Sequence, residues 1–202
     1  MKKILEDTKF LEDIRARKNV SETHCKAVVL HSACTRGNVA VVTLFAKYHS
    51  LFDWATKSNS KCYPLLEAAR RKHVALFETL LQCQSFKDCY ASKDSFVSMT
   101  DGEGNSLLHI AADVEEDVIL QFSLDFGVDP TSKNDKGMTP LHYVAMRGNV
   151  NACKLLLKYF GDDYDAILSY IESEADKVCK ETAVYFAAKH NHKMMLKFLL
   201  QT

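Results

Sequence analysis

Eight histidines, seven cysteines and 26 carboxylate side chains are the groups of this 202-residue chain with the chemistry to hold a metal or move a proton. Three of the histidines, His31, His109 and His142, stand in similar apolar surroundings with aspartates in the neighbourhood. A metal centre or a catalytic base needs its groups to converge on one point. These three recur in separate, similarly written stretches, which sets them in a row. His190 and His192 form a close pair, but residues two apart face different directions, and Cys179 is too isolated to complete a zinc set. That pair reads as a solvated turn. Asp162-Asp163-Tyr164-Asp165 lacks the glycine and the terminal glutamate of a calcium loop and reads as an acidic turn. The chain has no GxSxG, no phosphate-binding glycine loop, no GxGxxG after a strand and no HExxH. No catalytic residue, metal ligand, cofactor or small-molecule site is expected.

The bulk properties agree. The 26 basic and 26 acidic side chains cancel, so bulk charge points neither to nucleic acid nor to an anionic membrane. The seven cysteines are odd in number and form no Cys-x-x-Cys pair, which fits free thiols and a reducing compartment, cytoplasmic or nuclear. Cys34 and Cys153 fall on apolar helix faces, whereas Cys62, Cys83 and Cys89 fall in loops. The first residues lack the apolar stretch of a signal peptide. No segment approaches the roughly 20 apolar residues of a membrane span. A membrane enters the expectation only through a continuation beyond residue 202.

The elements that must position these residues repeat. Thr139-Pro140-Leu141-His142 is followed by Ala145, by Gly148-Asn149 and by the run Ala152-Cys153-Lys154-Leu155-Leu156-Leu157. Weaker copies begin at Val28-Val29-Leu30-His31, Tyr63-Pro64-Leu65-Leu66, Ser106-Leu107-Leu108-His109 and Thr182-Ala183-Val184-Tyr185. Each leads to one or two alanines, a turn and a second apolar run. The anchors Leu30, Leu65, Leu108, Leu141 and Val184 are spaced 35, 43, 33 and 43 residues apart. A threonine before a proline reads as a helix start, and Leu-x-x-Ala puts large and small apolar groups on one face. Each helix pair is too small to fold alone and must be stacked.

This pattern resembles the ankyrin-repeat family, whose signature is T-P-L-H-x-A at a period near 33; here Val144 takes the place of the alanine. The resemblance covers roughly residues 24 to 201. It implies an all-α solenoid of about five helix-turn-helix repeats, at about 24–57, 58–100, 101–133, 134–177 and 178–202. The two long intervals place insertions within 82–101 and 161–180. Residues 1–20, with Ile4, Leu11 and Ile14 among charged residues, read as an amphipathic capping helix before a repeat domain at 21–202. The resemblance also implies that the recurring imidazole bridges backbone groups of adjacent loops. The family's hydroxylated-asparagine position falls on Thr131, so that modification is not expected there.

Ankyrin arrays bind other proteins along a concave face made by finger loops and first-helix ends. Carried onto this chain, the helix-end positions are Thr35-Arg36, Arg70-Arg71, Asp113-Val114, Met146-Arg147 and Lys189-His190. The finger positions include Lys133, Lys136 and Met138. The expected partner-binding set is thus Arg36, Arg70, Arg71, Val114, Met146, Arg147, Lys189, Lys133, Lys136 and Met138. Its basic excess favours a partner protein with an acidic or phosphorylated segment, and the expected function is a non-catalytic scaffold or adaptor. Two alternatives share the same repeats: a cytoplasmic module of a larger membrane protein such as a transient-receptor-potential-like channel, and a pathogen or inhibitor-of-NF-κB-like decoy. The insertion at 161–180 reads either as a separate docking surface or as an extended lead packed on the core.

Overall fold

A computed structural model describes residues 22–47, 63–84, 97–175 and 181–201. The expected capping helix at 1–20 and most of the insertion within 82–101 lie outside the described residues. Helices α1 (Glu22–Thr35) and α2 (Val39–Lys47), α3 (Pro64–Arg70) and α4 (Val74–Gln82), α5 (Leu107–Val114) and α6 (Asp117–Asp125), α7 (Pro140–Arg147) and α8 (Val150–Lys158), and α10 (Ala183–Lys189) and α11 (Lys193–Leu199) form successive pairs. A further helix, α9 (Tyr164–Ile171), lies between the last two pairs.

One turn joins the helices of every pair. A left-handed residue follows the first helix, one or two positions after its end, in all five described pairs: Gly37, Lys72, Glu115, Gly148 and Asn191 have φ between 58° and 75°. The next backbone N–H then reaches back to the helix, in the bonds Asn38 to Ala33, His73 to Ala68, Glu116 to Ala111, Asn149 to Val144 and His192 to Ala187. This is the Schellman way of satisfying the last carbonyls of a helix. It needs a left-handed residue, which glycine supplies without steric cost.

The pairs stack in two rows. First helices run α1, α3, α5, α7, α10 in mutual contact, and second helices run α2, α4, α6, α8, α11. Small residues let the first helices approach: Ala68, Ala69, Ala111, Ala145 and Ala187 are fully buried. The second row carries the bulk, with Phe77 of α4 edge-on to Phe122 of α6 at 5.0 Å. The anchors Leu30, Leu65, Leu108 and Leu141 are all in this core.

The long interval before Val184 is explained by α9. Tyr170 and Ile171 are buried, and the Tyr170 hydroxyl donates to the Pro130 carbonyl at 2.7 Å. The helix therefore packs on the core, as one of the two readings of the insertion required.

Candidate functional site

The site begins with backbone. Before each fully described first helix the chain makes a tight finger: Asp101 N–H donates to the Asn105 carbonyl at 3.0 Å, and Asn134 N–H to the Met138 carbonyl at 3.0 Å. Side chains lock the fingers together. Asn134 Nδ2 donates to Asn105 Oδ1 at 2.7 Å and lies 3.1 Å from the Tyr143 hydroxyl. Asn134 Oδ1 accepts from the N–H groups of Lys136 and Met138. Asp135 N–H donates to the Glu103 carbonyl of the preceding finger at 3.0 Å.

The signature histidines complete this frame. His109 Nδ1 accepts from Ser106 N–H at 3.1 Å, and its Nε2 donates to the Met138 carbonyl at 2.9 Å. His142 does the same with Thr139 N–H at 3.0 Å and the Ser173 carbonyl at 2.9 Å. Both ring nitrogens are used, so each ring is neutral, in the Nε2–H form, and has no lone pair left for a metal. Burial drives the His142 pKa down to about 4, against the backbone acceptors that pull it up. His109 is lowered for the same reason. The bridging role implied by the family resemblance is present at both. His31 Nε2 has no partner among the described residues, and the segment ahead of α3, where the matching carbonyl would lie, falls in 48–62, outside them.

A second histidine ladder was not foreseen. His73 Nε2 donates to the Thr35 carbonyl at 3.0 Å, and His192 Nε2 to the Met146 carbonyl at 2.8 Å. Each ring lies where a Cβ on Gly37 or Gly148 would collide with it. The reading of His190–His192 as a solvated turn is therefore corrected: His190 is exposed, but His192 is half-buried and bonded to the previous repeat. The signal was in the sequence, because His73 and His192 both follow the turn residue directly, the place held by Asn149 in the best-formed unit.

The expected partner-binding residues separate by environment. Arg36, Arg70, Arg71, Arg147 and Lys189 are exposed on the first-helix row, and Lys133 and Lys136 on the fingers. Most of these cations already meet a carboxylate. Arg70 pairs with Asp101, whose side chain is only 6% exposed. Burial pushes the Asp101 carboxyl up, but its bonds from Asn105 and Glu103 and the Arg70 charge outweigh that and hold it below the usual range. Arg71 pairs with Glu67 at 2.7 Å, Arg147 with Asp113 at 2.7 Å, Lys136 with Glu103 at 2.8 Å and Lys189 with Glu181 at 3.6 Å. Lys133 Nζ donates to the Glu174 carbonyl at 2.9 Å. Val114 and Met146 are half-buried against the core. Met138 is 8% exposed and faces inward, so it offers no surface at the finger tip.

Between finger and helices lies a cleft of about 280 Å³, lined by Arg70, Glu103, Asn105, His109, Ile110, Asp113, Val114 and Tyr143. It has apolar side chains at Ile110 and Val114, hydrogen-bonding groups at Asn105 and Tyr143, and charges of both signs at its edge. No group of histidine, cysteine and carboxylate side chains placed to hold a metal occurs among the described residues. No described helix is long and apolar enough to cross a membrane.

Stacked helix pairs, left-handed turns and bridging imidazoles define a helical repeat protein. Residues 108–202 match the family model described as ankyrin repeats (3 copies), and this stretch is built of ankyrin repeats, which are protein-interaction modules. The chain is similar to the ADP-ribosylation factor GTPase-activating protein AGD4 of Arabidopsis thaliana, with 36% identity over 70 residues, covering 35% of this chain and 9% of that protein. It is similar to the transcription factor MBP1 of Kluyveromyces lactis, with 27% identity over 130 residues, covering 63% of this chain and 17% of that protein. It is also similar to the transient receptor potential cation channel subfamily A member 1 of Drosophila melanogaster, with 23% identity over 142 residues, covering 70% of this chain and 11% of that protein. The chain thus spans a small part of the length of each of these relatives.

Proposed function

We propose that this chain is a non-catalytic interaction module that takes an extended segment of a partner protein along the groove between its fingers and first-helix ends. The observation that carries this reading is the cleft at Ile110, Val114 and Tyr143, a mainly polar hollow beside the finger with Arg70, Glu103 and Asp113 at its edge. The partner segment carries carboxylate or phosphate groups for Arg36, Arg71 and Arg147. Arg36 is exposed with no carboxylate in ion-pair contact among the described residues. The Arg71–Glu67 and Arg147–Asp113 pairs are surface pairs, each worth about 0–1 kcal/mol. An incoming carboxylate can replace such a partner with two parallel bonds to the guanidinium. Arg70 is different, because Asp101 is nearly buried and fixed by its finger. The free, buried thiols of Cys34 and Cys153 suit a reducing compartment, cytoplasmic or nuclear.

A second reading, favoured by the relatives, is that the repeats serve as the interaction module of a longer protein. A GTPase-activating protein, a transcription factor and a cation channel resemble the same chain. The likeness therefore carries the repeats and no single activity.

The test is a peptide-display selection on the intact chain, followed by titration of a selected segment across a salt series. Selected segments should be rich in Asp, Glu or phosphoresidues and bind more weakly as screening shortens the reach of charge to ~8 Å at ~0.15 M salt. Arg71→Glu with Arg147→Glu should slow association. Asp113→Asn, which frees Arg147, should tighten binding. Affinity that ignores salt and all three changes would reject the acidic-segment reading.

A further inference from the structure

The described cations of the groove are largely matched, and the unmatched charge lies elsewhere. Residues 159–175 contain Asp162, Asp163, Asp165, Glu172 and Glu174 and no lysine or arginine. Asp163 caps α9 by accepting from Ala166 N–H at 3.0 Å. Among the described residues, no cation is in ion-pair contact with Asp162, Asp163, Asp165 or Glu172. These four carboxylates stand together in a segment that departs from the repeat period.

The same segment presents apolar groups to solvent. Tyr164 is 60% and Leu168 39% exposed, one helical turn apart, and Tyr159 just before them is also exposed. Asp165, Leu168 and Glu172 follow one another at three and four residues, so they share a stripe with the leucine between the acids. The opposite side of α9 is anchored. Tyr170 is buried there, Phe160 lies 5.0 Å from its ring, and the Tyr170 hydroxyl holds the Pro130 carbonyl. A helix fixed on one side and left apolar and acidic on the other is a platform with its geometry already set, so docking on it costs little ordering entropy.

We infer that the exposed side of α9 is a second docking surface, for a basic segment of a partner protein. Lysine or arginine side chains of that segment meet Asp162, Asp165 and Glu172, around an apolar residue seated on Tyr164 and Leu168. Charge selects this occupant. An acidic segment is repelled by the whole stretch, and an uncharged apolar one would cover carboxylates without pairing them, which costs free energy. The surface leans on the loop after α6 through the Tyr170 hydroxyl.

The test uses two short fluorescent peptides of equal length, one with lysines around a central leucine and one with glutamates in their place. Anisotropy is measured on the intact chain at low and at ~0.15 M salt. The lysine peptide should bind and the glutamate peptide should not. Asp162→Asn, Asp165→Asn and Glu172→Gln together should weaken the lysine peptide by about tenfold. Asp163 is left intact because it caps the helix. Leu168→Ala should weaken the same peptide by a factor that salt does not change, and Arg71→Glu with Arg147→Glu should leave its binding unimpaired. Circular dichroism checks that each variant is folded. No binding of the lysine peptide, equal binding of both peptides, or lysine-peptide binding that survives the triple change would overturn the inference. Each of these leaves the groove reading standing.

Discussion

At the scale of single residues, the groups that look most like chemistry are structural. His142 resists protonation while folded because both ring nitrogens are committed and the ring is buried. The unfolded chain has no such constraint, and its histidine titrates near 6.5. Above that pH both states are neutral and the histidine adds no pH dependence. As pH falls from 6.5 to about 4 the unfolded state takes up a proton that the folded state refuses, so stability is lost across that window and levels off below it. The drop from His142 alone is roughly 3 kcal/mol, and His109 acts in the same direction. Denaturant titrations at intervals from pH 7.5 to 4 should show this fall. His142→Gln should be less stable at pH 7 and show a shallower fall on acidification. A variant with the wild-type slope would remove His142 from the account. The buried thiols follow the same physics. Burial pushes Cys153 up to about 12 and Cys34 upward as well, so neither is a reactive thiolate.

At the scale of the element, the turn between paired helices is the unit that repeats most faithfully, more so than the signature at the helix start. Its left-handed residue and the one after it are matched to the neighbouring pair. Where the turn holds Gly37 or Gly148, the next pair supplies His73 or His192, whose ring covers the glycine. Where it holds Lys72, the next pair supplies Glu116, 3.7 Å away. Asn149 in turn reaches back to Asp117 at 2.8 Å. Lys72 and Glu115 carry side chains in a conformation that disfavours them. Glu115 is exposed and forms no ion pair among the described residues. Glu115→Gly should therefore stabilise the chain, by about 1 kcal/mol in a denaturant titration. Lys72→Gly should gain less, because it gives up the contact with Glu116. Loss of stability on Glu115→Gly would show that this turn is not strained.

At the scale of the whole molecule, stability is shared between neighbours along the stack. Leu141 sits in the pair between α5 and α10 and is fully buried. Leu141→Ala should cost ~2–5 kcal/mol and lower the thermal transition followed by far-UV circular dichroism. A neutral outcome would mean the interface between these pairs is not a packed core. Leu157 is 6% exposed, while Leu200, its equivalent directly after α11, is 69% exposed.

The sequence by itself determined the helix pairs, their turns, the core leucines and alanines, and the recurrence of the signature histidines, whose bridging role came from the family resemblance. All of these follow from local spacing, because each repeat builds the same short element and buries the same face. It also located two places where the period fails, within 82–101, mostly outside the described residues, and within 161–180. Only the tertiary structure decided what depends on residues far apart in the chain. It matched Arg70, Arg71, Lys136, Arg147 and Lys189 to carboxylates on their own and neighbouring repeats, since stacking brings residues about one period apart into contact. It turned Met138 inward and His192 onto Met146, because a finger or a turn takes its final orientation from the repeat beside it. It also packed one side of α9 on the core at Tyr170 and left Tyr164, Leu168 and the acids around them outside, a division that the apolar spacing of so short a helix cannot assign without knowing what lies beneath it.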